Sequence, residues 1–385
     1  MPIAPMKTAS TLYKNHLFCS EKNEENMNFE KAQLVLGFGS SALVSSQKSF
    51  LDIKNKFPNA EIALCSSAGE IYEDDVLDNT ISLVAIQFQS TTIRTSEINI
   101  VDFDSSYEAG KTLVKNLSQK NLKLVFVLSD GGKVNGSELV KGMNISKKEN
   151  ILITGGLAGD GTNFEKTFVG LNKVPESGKI IAIGFYGDNF KVCHGSFGGW
   201  ESFGLERIVT KSESNILFEI DHKNALALYK TYLGKFAEEL PGSALLFPLS
   251  VKFGDEHKPI VRTILSIDNE NQSITFAGDI PQGSKIRFMK ANFDRLIDAA
   301  SEAANSCLEM EENKPKLAIL ISCVGRKLIM PNRIDEEIEA ISEIFGSETM
   351  LTGFYSYGEI SPLNPMANCE LQNQTMTITG INEIV

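Results

Sequence analysis

The chain has 385 residues, of which 42% are hydrophobic and 22% charged. That length exceeds what one ordinary core supports, so two domains are expected. Lysine and arginine number 37 against 49 acids, a net charge of −12. This balance argues against nucleic-acid and anionic-membrane partners, which need basic surfaces.

The six cysteines, at 19, 65, 193, 307, 323 and 369, are scattered and match no metal-binding spacing. Reduced thiols in the cytoplasm are expected. The stretch from Met1 to Glu30 lacks the apolar segment of a secretory signal. No apolar run reaches the roughly 18 residues of a membrane span.

Residues 20–31 are polar and read as a helix or a lead-in. A first unit then runs through apolar Leu34–Phe38, a helical pattern over Ser46–Phe57, and a strand over Glu61–Cys65. It ends in Ser66-Ser67-Ala68-Gly69-Glu70-Ile71, with a further alternating strand at Ile81–Phe88. The second unit repeats this order. Leu122–Leu128 is a strand ending in Ser129-Asp130-Gly131-Gly132, and Gly136–Met143 is helical. Ile151–Ile153 leads into Thr154-Gly155-Gly156-Leu157-Ala158-Gly159-Asp160-Gly161, and Lys179–Tyr186 follows as a strand.

A helix is expected over Ala225–Glu239 and a β-rich region over Ala244–Lys290. Phe293–Cys307 reads as an amphipathic helix. The third unit is strand Leu317–Ile321, loop Ser322-Cys323-Val324-Gly325-Arg326, helix Ile334–Phe345 and a strand from Met350. It closes with Gly353-Phe354-Tyr355-Ser356-Tyr357-Gly358-Glu359-Ile360 and strand Thr375–Ile381. Ser-x-Gly-Glu-Ile therefore occurs twice, at 67–71 and 356–360, which points to internal duplication.

Strand ends in α/β layers are where ligands bind. The expected ligand-binding set is therefore Ser66, Ser67, Glu70, Asp130, Gly156, Asp160, Cys323, Arg326, Tyr355, Tyr357 and Glu359. Arg326 is suited to a carboxylate by bidentate pairing, or else to an ion pair with Glu359. Glu359 or Asp160 suits an amine. Tyr355 and Tyr357, on one face of the strand, would wall the apolar part. Gly37-x-Gly39-x-x-Ala42 lacks the acid a dinucleotide fingerprint requires at the next strand end. His194 is a candidate haem ligand. No nucleophile elbow, metalloprotease or kinase motif is present, so no catalytic residue is assigned.

These stretches together resemble the FIST sensory family, which joins an N-terminal and a C-terminal FIST domain. The resemblance is carried by Cys65–Ile71, Leu128–Gly131, Gly155–Gly161, Gly199-Trp200, Val209–Ser212, Tyr229 to Gly234, Ser322–Arg326 and Gly353–Ile360, in family order from about residue 30 onward. It implies a cytoplasmic input module, not an enzyme, that binds small ligands, with amino acids the proposed class. The output would pass to a separate protein such as a histidine kinase or cyclase. Haem-based gas sensing and a protein-interaction adaptor without a small ligand are the alternatives the resemblance leaves. The expected fold is α/β: two packed domains, 1–215 and 216–385, with duplicated strand–helix–strand units and mixed β-sheets.

Overall fold

Three apolar runs, each alternating between two buried faces, dictate the architecture. In Leu317–Cys323 the side chains of Leu317, Ile319 and Ile321 enter one core, while Ala318 and Leu320 enter another. Leu34, Leu36 and Phe38 behave the same way in Leu34–Gly39, with Val35 opposed. So do Leu124, Phe126 and Leu128 in Leu122–Ser129, opposed by Val125 and Val127. A strand apolar on both faces must lie between two layers. In a computed structural model, which describes residues 6–254, 258–311, 313–363 and 367–384, that is where all three lie.

Each run centres a six-stranded mixed sheet. In the first, Leu34–Gly39 pairs parallel with Glu61–Ser66 and antiparallel with Ile81–Gln87. In the second, Leu122–Ser129 pairs parallel with Leu152–Leu157 and antiparallel with Lys179–Tyr186. In the third, Leu317–Cys323 pairs parallel with Met350–Ser356 and antiparallel with Met376–Glu383. One face of every sheet contributes to a common central core, in which Phe38 stacks on Phe354 with ring centroids 4.8 Å apart. The other faces are covered by helices, among them Gln47–Lys56, the pair Ser106–Lys115 and Gly136–Ser146, and the pair Phe293–Met310 and Ile334–Phe345.

The three units also exchange strands. Glu70–Tyr72, from the first unit, pairs with Met350–Ser356 of the third sheet. Gly358–Pro362, from the third, pairs with Leu152–Leu157 of the second. Val169–Leu171, which follows the second unit's loop, pairs with Glu61–Ser66 of the first. Each sheet is completed by the next unit, and the ring closes. The mixed sheets and repeated units agree with the expected α/β class, and each repeat is interlocked with the others.

Residues 201–290 form an insertion with its own eight-stranded sheet and its own core around Tyr229 and Phe288. The residue pair 215/216 falls at the turn of a hairpin between Glu201–Glu213 and Ile216–Ile220. Helix Ala225–Leu233 is shorter than expected, and Gly234–Glu239 continues as a 3-10 helix.

Two further expectations are corrected. Residues 20–31 are not one helix: Leu17–Lys22 forms a hairpin with Lys7–Lys14 on the edge of the first sheet, and only Phe29–Lys31 makes a 3-10 turn. The cysteines are not all free thiols, because Cys193 on strand Phe190–Phe197 and Cys307 on helix Phe293–Met310 are joined in a disulfide.

Candidate functional site

The repeated Ser-x-Gly-Glu sequence builds the same carboxyl cradle twice. Glu70 accepts from Ser67 Oγ at 2.5 Å, and from Thr80 N and Oγ1 at 3.1 and 2.9 Å. Glu359 accepts from Ser356 Oγ at 2.8 Å, and from Thr375 N and Oγ1 at 3.2 and 2.9 Å. Both carboxyls are buried. Loss of water disfavours their charged form, and each is raised to about 7 despite the donors around it. At the third loop the acid is Asp160, which accepts from the backbone N–H of Phe164, Glu165 and Lys166 and from the Tyr357 hydroxyl.

The strand ends open on two clefts related by the duplication. One, of about 690 Å³, is bordered by Ser40–Ala42, Ser67–Glu70, Asp78 and Asp160 together with Val324 and Lys327 of the third unit. The other, of about 420 Å³, has the corresponding Cys323–Gly325, Tyr357 and Asn373, facing Gly131–Gly136 of the second unit. Residues of the insertion complete this smaller cleft: Asn215, Leu245, Thr263, Leu265 and Phe276–Asp279. Phe164 stacks on Tyr357 at its edge, with centroids 4.7 Å apart.

Polar atoms without partners concentrate around the smaller cleft. Both amide atoms of Asn373, Thr263 Oγ1 and Asp279 Oδ1 lack a hydrogen bond, and all three residues line it. The adjoining Gln374 is fully buried with its amide also unpartnered, and it packs so closely on Gly325 that a Cβ there would collide with it. An unsatisfied buried polar group costs about 1–3 kcal/mol, so such a group calls for an explanation. Helix Gly136–Ser146 starts on the same wall, where its first N–H groups have no partner within the helix. The insertion is fastened beside it by Arg262, which donates to Asp279 O at 3.1 Å and Leu371 O at 2.8 Å. Burial lowers that guanidinium to about 10.

The expected set is divided by this geometry. Ser67, Glu70 and Asp160 border the larger cleft, and Cys323 and Tyr357 the smaller. Ser66, Asp130 and Gly156 line neither. Ser66 Oγ accepts from Phe168 N, and Asp130 ties Gly132 N, Lys133 N, Ser177 Oγ and Gly178 N together. Gly156 packs against Ile321 and Phe354.

Arg326 is spent elsewhere: it is fully buried, pairs with Glu337 at 2.8 Å rather than with Glu359, and donates to Gly198 O and Leu296 O. Tyr355 and Ser322 also donate to Glu337, each to Oε1. A ligand carboxylate would have to break this network. Tyr355 and Tyr357 do not share a wall, because the strand ends at Ser356 and the chain crosses to the second sheet. Burial pushes the Cys323 thiol up, away from the thiolate a nucleophile needs.

His194 does not fit an axial haem ligand. Its Nδ1 and Nε2 lie 3.2 and 2.9 Å from the carbonyls of Ile378 and Pro362, and burial holds its pKa below the usual histidine value. Among the described residues no cluster of His, Cys, Asp and Glu could hold a metal ion.

The FIST N domain model matches residues 33–223, and the FIST C domain model matches residues 225–362. The chain belongs to the FIST family. FIST domains are sensory domains of signal transduction. No curated protein matches the chain. In FIST terms the smaller cleft is composite: Gly131–Gly136 come from FIST N, whereas Thr263, Asp279 and Cys323 come from FIST C. Asn373 lies beyond the matched residues. The sequence signal for it was the polar run Gln372-Asn373-Gln374-Thr375 between two apolar strands, which reads as an ordinary loop until its burial is seen. No helix among the described residues is long and apolar enough to cross a membrane.

Proposed function

We propose that this FIST protein is a cytoplasmic sensor, without catalytic activity of its own, that takes an amino acid or closely related metabolite into the smaller cleft. Its state is passed to a separate signalling protein of the histidine-kinase or cyclase kind. The observation that carries this reading is the group of unpartnered polar atoms on Asn373, Thr263 and Asp279 beside an apolar wall of Leu157, Phe276 and Val324. Small-molecule sites combine such walls with a few convergent polar groups, in cavities of this order of size.

A ligand carboxylate is served by the N–H of Gly136, at the start of helix Gly136–Ser146, and by Lys133; the Glu138 N–H is already capped by Asn135. An ammonium group is served by Asp279 Oδ1, since only Oδ2 is taken by Lys141, at 3.0 Å. These residues replace Arg326 and Glu359 in the roles first expected of them. In a reducing cytoplasm the Cys193–Cys307 bond would be protected by burial, since Cys193 is 3% and Cys307 0% exposed.

The test is a thermal-shift screen of the purified chain against the common amino acids. A ligand at a hundred times its dissociation constant adds about 2.7 kcal/mol. A hit that disappears in Asp279→Ala and persists in Asp78→Ala, which alters the larger cleft, supports the reading. A screen with no hit removes it.

A further inference from the structure

We infer that the smaller cleft selects for a ligand whose side chain ends in a planar amide. This rests on the reading above and concerns the ligand's side chain rather than its charged groups. Asn373 is 1% exposed, and neither its amide nitrogen nor its amide oxygen has a partner. Such a side chain offers a donor and an acceptor in one plane, and it is answered in full by a group that offers the same pair reversed. A carboxamide does this, head to tail, in either rotamer of the asparagine.

The competing ligand types are each worse matched. An apolar side chain would leave both amide atoms of Asn373 unpaired. A carboxylate can accept from the amide nitrogen but meets the amide oxygen as a second acceptor. Thr263, 6% exposed with a free hydroxyl, can donate or accept and so supports the amide without discriminating against it. Gly325 matters here through its size. The buried Gln374 amide lies against it without itself lining the cleft, so a side chain at 325 would displace the segment that carries Asn373.

The experiment is calorimetric titration of the full chain with L-glutamine, L-asparagine, L-glutamate, L-leucine and L-alanine. Glutamine or asparagine should bind at least about tenfold more tightly than leucine or glutamate, the factor expected when buried polar groups are left unpaired. Asn373→Leu should erase that preference while leucine still binds. Thr263→Val, a smaller change in the same lining, should weaken amide binding with little effect on leucine, and it stands in if Asn373→Leu does not fold.

Equal binding of amide and apolar amino acids would overturn the inference and leave the cleft reading intact. Amide preference surviving in both variants would also overturn it. Failure of every amino acid to bind the unmodified chain would overturn both, the unpartnered atoms then being occupied by water alone.

Discussion

Glu70 and Glu359 are carboxyls held by the same three donors, at equivalent points of two repeats, and both lie near the protonation midpoint at neutral pH. Their ordinary value is 4.5 and their folded value about 7. Between those pH values the folded chain holds protons that the unfolded chain has released. Stability from these groups is therefore fully present below about pH 4.5 and falls as pH rises to about 7, by roughly 3 kcal/mol for each group at most. His194 acts in the opposite sense, because its folded pKa is depressed and its contribution is lost on acidification. Comparison with a variant at each pH cancels that term. Glu70→Gln should gain stability relative to the unmodified chain as pH is raised from 5 to 8, read as urea midpoints. Parallel profiles would mean that Glu70 is already ionised in the folded state.

At this scale the sequence displayed the Ser-x-Gly-Glu echo but not its partners. Thr80 and Thr375 stand 10 and 16 residues beyond their glutamates. Arg326 illustrates the same limit. Its partner Glu337 lies on a helix whose acids all look like ordinary solvent-facing charges, and only the packed structure shows that this one is fully buried.

Among the elements, the strands with two apolar faces were legible because periodicity and length agree. Lys179–Tyr186 and Ile334–Phe345 have the bounds their patterns suggest. Helix Ser106–Lys115 was not read, although Ser105 caps it. Gly110 at its middle weakens the local preference, and the helix is sustained by packing on Gly136–Ser146, where Gly110 lies against the Leu139 carbonyl. The N-terminal hairpin was missed because its partner strand, Ile81–Gln87, is some seventy residues away.

Gly155 and Gly353 occupy matching places in the second parallel strands, with φ of +149° and +159°. A Cβ at either would run into the carbonyl oxygen of Val127 or Leu320 on the neighbouring strand. Both obstacles are backbone, so neither can swing aside. Gly155→Ala should cost about 3 kcal/mol or more, measured by chemical denaturation. A loss below about 1 kcal/mol would show that the strand pair can part locally.

For the whole molecule, the cyclic strand exchange overrides the division into two family domains. The first unit's strand Glu70–Tyr72 finds its partner in FIST C, and FIST N's Leu152–Leu157 is bordered by Gly358–Pro362 of FIST C. The central core also draws on all three sheets. Residues 1–224 expressed alone should therefore lack a cooperative thermal transition, and co-expression with 225–385 should restore one. A folded monomeric N-terminal half would contradict this. The threefold repetition was visible in the sequence, whereas the exchange between repeats was not, because pairing partners several hundred residues apart leave no local pattern.

The Cys193–Cys307 disulfide has a consequence for chain integrity. Its two ends stand on either side of the insertion, 114 residues apart, so the segment 201–290 is a covalently closed loop. A single protease cut within that loop, for instance beside the exposed Leu205, would sever the backbone without releasing either fragment. The nicked protein would migrate as one species until reduced, with strand Phe190–Phe197 and helix Phe293–Met310 still joined.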